Sequence, residues 1–194
     1  VSNRYTVTAL DRAFDVLERL ARRKDGATLA TLVEETGIPK STLFRSLSTL
    51  EARRCVVRDE ARKTYRLGLK LWELGNAFLE QSDLQDAAVN YMKQLAEACG
   101  ESVFLGVLDR GEVVYVRRVE SPKSAVVVRK LGQRAPAYCT ATGMALLAFR
   151  PDDEIDRLLE NQKLTSFTPN TTTSRAALRR EIEQIRRTRV AVVD

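Results

Sequence analysis

Hydrogen-bond donors between Lys40 and Thr49 carry the clearest chemical signal in this sequence. At about 100° per residue, Leu43, Leu47 and Leu50 share one helical face, which predicts the buried edge of a helix. The remaining surface is rich in donors and has one aromatic: Lys40, Ser41, Thr42, Phe44, Arg45, Ser48 and Thr49. Such a helix fits the DNA major groove, where Arg can bind guanine bidentately and Ser or Thr can reach base edges or phosphates. The alternative is a solvated polar face on an ordinary small helical domain.

The residues before this helix predict a helix-turn-helix over about residues 28–47. Thr28 can cap a first helix with its hydroxyl, and it also joins the expected DNA contacts. Gly37 suits the turn, and Pro39 suits a first helical position, so the second helix should begin near Pro39 or Lys40. The first helix should bury three apolar residues at helical spacing: Leu29, Leu32 and Val33.

A basic hairpin is predicted to follow as a wing over about residues 55–67. Cys55–Arg58 and Thr64–Leu67 read as strands, with Asp59–Lys63 as the tip. Between residues 40 and 70, nine Lys or Arg stand against three acidic residues, a local charge of +6 that equals the net charge of the whole chain. The alternative is an exposed edge hairpin kept soluble by charge. The expected phosphate or minor-groove contacts are Arg58, Arg62, Lys63 and Arg66.

Composition bounds the remaining possibilities. The chain has 194 residues, 44% hydrophobic and 30% charged, which suits one large or two modest globular domains. No apolar run is long enough for a membrane span, and no signal region precedes the first helix, so we expect a cytoplasmic protein without a membrane partner. Three cysteines far apart in the sequence predict reduced thiols rather than a disulfide framework.

The sequence has no histidine. This absence removes the usual general base, the Cys–His and Ser–His pairs, and histidine-ligated metals. We therefore predict no catalytic residue, no metal and no cofactor, and expect that the protein is not an enzyme.

The N-terminal helix should support the helix-turn-helix. Thr8 and Asp11 match an acidic capping box, and the helix should run to about Arg23 before Gly26. Its predicted buried stripe consists of Leu10, Ala13, Phe14, Leu17, Leu20 and Ala21.

Two motifs in order carry a family resemblance. The runs LDRAFDVLERL and LATLVEETGIPKSTLFRSLSTLE, with the hairpin ending in YRLG, resemble the DNA-binding domain of the IclR family of bacterial transcriptional regulators. The later run LGQRAPAYCTATGMALLAF resembles the start of the effector pocket in that family. The resemblance implies an α+β protein: a winged helix-turn-helix over 1–67, a linker helix over 68–81, and a GAF-like α/β effector-binding domain over 82–194.

The segment Leu67–Gln81 predicts a helix that is more apolar than one small domain could cover. The resemblance implies a linker that joins two subunits in a homodimer, or in dimers paired as a homotetramer. A two-fold protein suits a palindromic operator in double-stranded DNA. The alternative is a helix packed on its own domain. The apolar residues are Leu71, Trp72, Leu74, Gly75, Phe78 and Leu79.

Residues beyond 81 predict a mixed α/β unit. A helix capped by Ser82 or Asp83 should run to Gly100, burying Leu84, Ala87, Ala88, Tyr91, Met92, Leu95 and Cys99. Strands are expected at Ser102–Leu108, Glu112–Val119, Ala125–Val128 and Val190–Val193, and helices at Ala141–Phe149, Asp152–Glu160 and Ser174–Thr188. A terminal strand with nothing after it, together with the resemblance, predicts a domain that is incomplete at the C-terminus.

The segment 132–145 is the candidate effector site. Small residues let a ligand approach the backbone, tyrosine and threonine supply donors, and amides at the start of the Ala141 helix could hold a carboxylate. Two positions in the segment have an alternative role in packing: Cys139 as a small buried hydrophobic residue, and Met144 as a residue that fills the core. The effector-binding prediction comprises Ala135, Pro136, Ala137, Tyr138, Cys139, Ala141, Thr142 and Gly143.

These patterns together predict a sequence-specific, DNA-binding transcriptional regulator, of the repressor type, whose operator affinity responds to a small carboxylate-bearing effector. Two other classes are the alternatives: an enzyme with an appended nucleic-acid domain, and a protein-interaction module built on a winged helix.

Overall fold

The computed structural model describes residues 5–81, 84–122, 130–160 and 162–193, apart from the side chain of residue 85. Two compact units divide the chain, Val1–Ser82 and Asp83–Asp194. Each has its own hydrophobic core.

The first unit is a three-helix bundle with a small sheet. Its elements are α1 (Thr8–Ala21), β1 (Ala27–Thr28), α2 (Leu29–Thr36), α3 (Lys40–Ala52), β2 (Val56–Asp59), β3 (Thr64–Leu67) and α4 (Leu69–Glu80). The β2–β3 hairpin is antiparallel, as predicted, and the short β1 adds a third strand beside β3 that the sequence did not reveal. The core joins α1, α2 and α3 to the hairpin through Val16, Leu32, Leu43, Leu47 and Val56.

The helix-turn-helix follows the residues that predict it. The Thr28 hydroxyl accepts a hydrogen bond from the amide of Thr31 at 3.2 Å and so caps α2. Gly37 ends α2 with a φ of 66°, in the left-handed region where glycine has no steric cost. After Pro39, α3 begins at Lys40 and buries Leu43 and Leu47, while Leu50 is half-buried.

Two predictions about α1 were wrong. Thr8 is the first helical residue rather than the cap, because the Val7 carbonyl accepts the first helical hydrogen bonds, from the amides of Leu10 and Asp11. Valine has no polar side-chain atom, so α1 begins without a side-chain cap. Val16 and Leu20 are the buried residues of α1, whereas Leu10 and Phe14 are exposed. The helix carries two apolar faces, and its own unit covers only one.

The second unit packs helices against a sheet with three strands among its described residues. Its elements are α5 (Leu84–Cys99), β4 (Val103–Asp109), β5 (Glu112–Val119), β6 (Arg134–Pro136), a 3-10 turn (Ala137–Cys139), α6 (Ala141–Ala148), α7 (Asp152–Glu160) and α8 (Arg175–Thr188). All strands are antiparallel in the order β4-β5-β6. The core is built from Val113, Met144, Leu147, Ile155 and Leu178, with Ile182 and Ile185 of α8 inward as predicted.

Three expectations for this unit were wrong. Met92 and Ala96 are buried on α5, while Leu84, Tyr91 and Leu95 of the predicted stripe are exposed. Residues 190–193 form no strand, because none of the described strands hydrogen-bonds to them. The strand β6 lies within the segment 132–145, where no strand was predicted. The predicted Ser82 or Asp83 cap and the predicted strand at 125–128 lie outside the described residues.

Candidate nucleic-acid interface and ligand cavity

The exposed face of α3 presents donors that the fold leaves available. Ser41, Arg45 and Ser48 are exposed, with Lys40 and half-exposed Phe44 on one flank and half-buried Thr42 on the other. Within the described residues, neither Lys40 nor Arg45 forms an ion pair. Burial of Leu43 and Leu47 fixes the rotation of α3 about its axis, so this face is held outward by packing.

Two predicted donors on this surface are already engaged. The Thr49 hydroxyl donates to the carbonyl of Arg45 at 2.9 Å, and the Thr28 hydroxyl lies 3.0 Å from that of Thr31 while it caps α2. Both hydroxyls therefore stabilise their own helices, and a DNA contact would compete with these hydrogen bonds. The capping role of Thr28 is the one that the structure supports directly.

Asp59 organises the tip of the β2–β3 hairpin. Its carboxylate accepts a hydrogen bond from the amide of Arg62 at 3.0 Å, and this bond is the main reason that the pKa of Asp59 lies below its usual value. Lys63 follows with a φ of 52°, which closes the turn. The aspartate thus holds the backbone of the tip while the Arg62 and Lys63 side chains remain exposed and form no ion pair among the described residues.

The other two cations of the hairpin are partly restrained. Arg58 lies 3.4 Å from Glu60 and 5.9 Å from the ring centre of Tyr65, a cation–π distance. Arg66 lies 4.0 Å from Asp59. These exposed pairs are weak, so both guanidinium groups can exchange an acidic neighbour for a phosphate.

A cavity of about 560 Å³ lies in the second unit. Ala135, Pro136, Tyr138 and Cys139 of the predicted effector segment line it. The opposite wall comes from the loop before α8, from α8 itself and from the C-terminal residues. Its residues are Phe167, Thr168, Asn170, Thr171, Thr172, Glu181, Val192 and Val193, and Arg134 of β6 and Thr140 before α6 also line the cavity.

Charge in the cavity wall is balanced. Arg134 forms ion pairs with Asp109 and with Glu112, the latter at 2.8 Å, and its hydrogen bond lowers the pKa of Asp109. Glu181 accepts a hydrogen bond from the Thr172 hydroxyl at 2.6 Å. The lining therefore offers hydroxyl and amide groups beside one cation and one carboxylate.

Tyr138 ties the cavity wall together. Its hydroxyl donates to the carbonyl of Thr165 at 2.9 Å and accepts from the amide of Thr165 at 2.8 Å. Both hydrogen-bonding directions of this buried hydroxyl are used within the protein, so the residue holds the 165–173 loop beside the 3-10 turn.

Four of the predicted effector residues do not line the cavity: Ala137, Ala141, Thr142 and Gly143. Ala137 and Gly143 are buried against each other, and a methyl group at Gly143 would clash with the Ala137 carbonyl oxygen. The Gly143 amide, expected as a carboxylate donor, already binds the Thr140 hydroxyl at 3.1 Å. The small residues of the motif thus serve close packing of α6 on the 3-10 turn, and Met144 fills the core.

Residues of the 165–173 loop line the cavity but were not predicted from the sequence. A threonine-rich connection is an ordinary loop by composition, and only its anchoring to Tyr138 brings Phe167, Thr168 and Asn170 to the cavity. The connection between α7 and α8 is long for two neighbouring helices, and this length could have marked it as a binding loop.

Comparison with known families decides what kind of protein this is. Residues 9–60 match the IclR helix-turn-helix domain, and residues 76–194 match the bacterial transcriptional regulator IclR C-terminal domain. This chain belongs to the IclR family of bacterial transcriptional regulators. The predicted α+β arrangement of a helix-turn-helix followed by an α/β effector domain is confirmed.

Relatives of this IclR-family regulator match nearly all of this chain, which spans only part of their own length. XynR of Escherichia coli is 31% identical over 93% of this chain and 71% of its own, and KdgR of the same organism is 32% identical over 93% and 68%. Both are HTH-type transcriptional regulators. AllR of Salmonella paratyphi A, named a transcriptional repressor, is 28% identical over 92% of this chain and 65% of its own.

A solved structure adds information about ligands. An IclR homologue from Microbacterium hydrocarbonoxydans, complexed with 4-hydroxybenzoate, superposes with a TM-score of 0.78 at 25% identity, covering 93% of this chain and 75% of its own. The predictions of an HTH regulator and of a family that binds small effectors are confirmed. Among the described residues of this chain, no helix is long and apolar enough to cross a membrane.

Proposed function

We propose that this IclR-family regulator binds operator DNA with the exposed face of α3 in the major groove and the β2–β3 hairpin against the backbone. The observation that carries the proposal is a set of exposed cations on both elements of one unit that form no ion pair with any described residue: Lys40, Arg45, Arg62 and Lys63. Arg45, Ser41 and Ser48 face the base edges, and the hairpin cations face phosphates. Repression, the activity in the name of AllR, is the proposed sense of regulation.

Filter binding across a salt range tests this proposal. Each phosphate contact releases counterions, so the logarithm of the affinity should fall with the logarithm of salt concentration at a slope of about −0.9 per contact. A sequence selected from a random duplex pool should bind more tightly than bulk DNA. If the full-length protein retains no duplex even in dilute buffer, the proposal is wrong and the winged helix serves another partner.

The 560 Å³ cavity is the proposed effector site. Its size suits a small metabolite, and its lining combines apolar surface from Phe167 and Tyr138 with polar groups from Thr168, Asn170 and Thr172. The Microbacterium homologue is complexed with a carboxylate, 4-hydroxybenzoate, which supports a carboxylate-bearing effector here. Because Glu181 also faces the cavity, an effector that adds hydroxyl donors to its carboxylate would fit best. A thermal-shift screen of carboxylic acids on the full-length protein identifies the class.

The α4 helix is the proposed contact between subunits. None of its residues is buried within the first unit, and Trp72 and Phe78 are 64% and 65% exposed. An apolar face this open is typical of an interface, and a homodimer places two recognition helices on the half-sites of a palindrome. Dimers could pair further into a homotetramer.

The proposed division of labour follows the chain. Residues 1–67 bind DNA, residues 68–81 connect subunits, and residues 82–194 hold the effector. We propose that the protein acts through binding alone, without catalysis or a cofactor, and in the cytoplasm, where bacterial DNA is accessible to it.

A further inference from the structure

Phe44 is the one apolar side chain at the edge of the reading face of α3. At 100° per residue, Ser41, Phe44, Arg45 and Ser48 fall within an arc of about 100°. Leu43 and Leu47, its neighbours toward the core, are 0% exposed, whereas Phe44 is 49% exposed. Phe44 belongs to neither hydrophobic core and makes no ring contact with another aromatic among the described residues.

An aromatic side chain is costly to leave in water, and the DNA major groove offers one apolar group for it. Most base-edge groups there are hydrogen-bond donors or acceptors, but thymine projects its C5 methyl group into the groove. A phenyl ring beside Arg45 can cover this methyl group while the guanidinium binds a neighbouring base. Such a contact removes apolar surface from water on both partners.

We propose that Phe44 is a specificity-determining residue that recognises thymine through its C5 methyl group, next to the base that Arg45 contacts. The inference rests on the proposed role of α3 as the reading helix. It adds to that role a preference for thymine at one position of each half-site, which polar donors on the helix do not supply.

Replacing thymine by deoxyuridine in the bound DNA tests the proposal, since it deletes the methyl group and keeps every hydrogen-bonding group. A duplex selected from a random pool by the full-length protein is synthesised with single thymines replaced. Burial of one methyl group corresponds to a factor of about four in affinity. The affinity of the wild-type protein should fall about fourfold when the responsive thymine of a half-site is replaced. Phe44→Ala should bind the thymine and deoxyuridine duplexes equally well.

Phe149→Ala is the matched control, because Phe149 is also exposed but lies in the second unit. Phe149→Ala should show the same loss of affinity as wild type when thymine is replaced by deoxyuridine. Phe44→Leu, which retains an apolar tip, should keep part of it. If Phe44→Ala binds weakly, both proteins are titrated at lower salt, where affinity is higher.

Three results separate the possibilities. If no duplex is selected or bound, the proposed DNA-binding function itself is wrong. If the wild-type protein binds a selected duplex but no thymine responds to loss of its methyl group, the Phe44 assignment is overturned. An equal loss in wild type and Phe44→Ala also overturns it, since another residue would then contact the methyl group.

Discussion

Hydrogen bonds separate the side chains that hold this protein together from those that can bind something else. The hydroxyls of Thr28, Thr49 and Tyr138 are bound to neighbouring groups within the fold. Arg45 is exposed on a helix whose rotation is fixed by buried leucines, and it forms no ion pair within the described residues. An exposed side chain such as Arg45 can change partners without disturbing the fold, which is what recognition requires.

Arg45→Ala should weaken operator binding without changing stability. Loss of a bidentate contact to guanine costs about 1–3 kcal/mol, or roughly 5- to 150-fold in affinity per half-site. Electrophoretic mobility shift with a selected duplex measures this change, and thermal shift with an identified effector should remain as in wild type. Arg180→Ala, which removes an exposed arginine from α8 without an ion pair in the described part of the chain, is the control. Equal operator affinities for wild type and Arg45→Ala would count against the assigned face.

Tyr138→Phe should destabilise the second unit. The substitution removes the partner of both the amide and the carbonyl of Thr165, and each unsatisfied backbone group near the cavity costs about 1–3 kcal/mol. We expect a lower Tm and a weaker effector response, because the 165–173 loop loses its anchor. Tyr91→Phe removes an exposed hydroxyl and should leave Tm unchanged. A wild-type Tm for Tyr138→Phe would mean that water replaces the hydroxyl without cost.

Helices with a single apolar face could be predicted from the sequence, and helices with two could not. Leu43 and Leu47 of α3, and Leu178, Ile182 and Ile185 of α8, are buried as their spacing predicts. On α1 and α5 the predicted stripe mixes buried and exposed residues, because periodicity marks apolar faces without showing which face its own unit covers. The cavity was predicted only on the side formed by the 132–145 motif, since the opposite wall depends on tertiary contacts of the 165–173 loop.

Beside the apolar core that α7 and α8 share, an ion network joins the two helices and should make stability depend on pH. Asp152 at the start of α7 pairs with Arg186 at 2.7 Å and with Arg179 at 3.2 Å. The hydrogen bond from Arg186 is the main cause that lowers the pKa of Asp152. A lowered pKa means that the folded state binds this proton more weakly than the unfolded state. The resulting stabilisation is complete above the unfolded pKa of about 4 and is lost as pH falls through the folded value.

Asp152→Asn should therefore lower Tm at pH 7, and the difference from wild type should shrink as the pH is reduced below about 4. Asp153→Asn is the control, because Asp153 pairs only with Arg157 on the same helix among the described residues. Thermal unfolding followed by circular dichroism across pH 3–7 measures both. A difference for Asp152→Asn that stays constant over this range would show that its charge does not join the two helices.

At the scale of the whole molecule, association of two chains should depend on α4. Phe78→Glu places a charge on the apolar face of α4 and should convert the proposed dimer to monomer in sedimentation velocity experiments at micromolar concentration. Ala77→Glu adds the same charge beside Lys70, Glu73 and Glu80 on the other side of the helix and should leave the dimer intact. If the wild type sediments as a dimer and both variants do too, the subunits contact each other elsewhere; a monomeric wild type would overturn the proposed dimer itself.

Coupling between the cavity and the operator must be reciprocal if the effector regulates DNA binding. An effector that changes operator affinity by some factor is itself bound more tightly or more weakly by the same factor when operator is present, because both orders of binding lead to the same complex. We propose that the factor arises because the effector binds two arrangements of the subunits, with different spacings of the recognition helices, with different affinities. With a carboxylic acid identified by thermal shift, titration calorimetry with and without operator DNA should give the factor found in mobility shifts at several acid concentrations. Phe78→Glu should bind the acid but lose the coupling, because a monomer has no second recognition helix to reposition. Equal acid affinities with and without operator would show that the cavity does not control DNA binding.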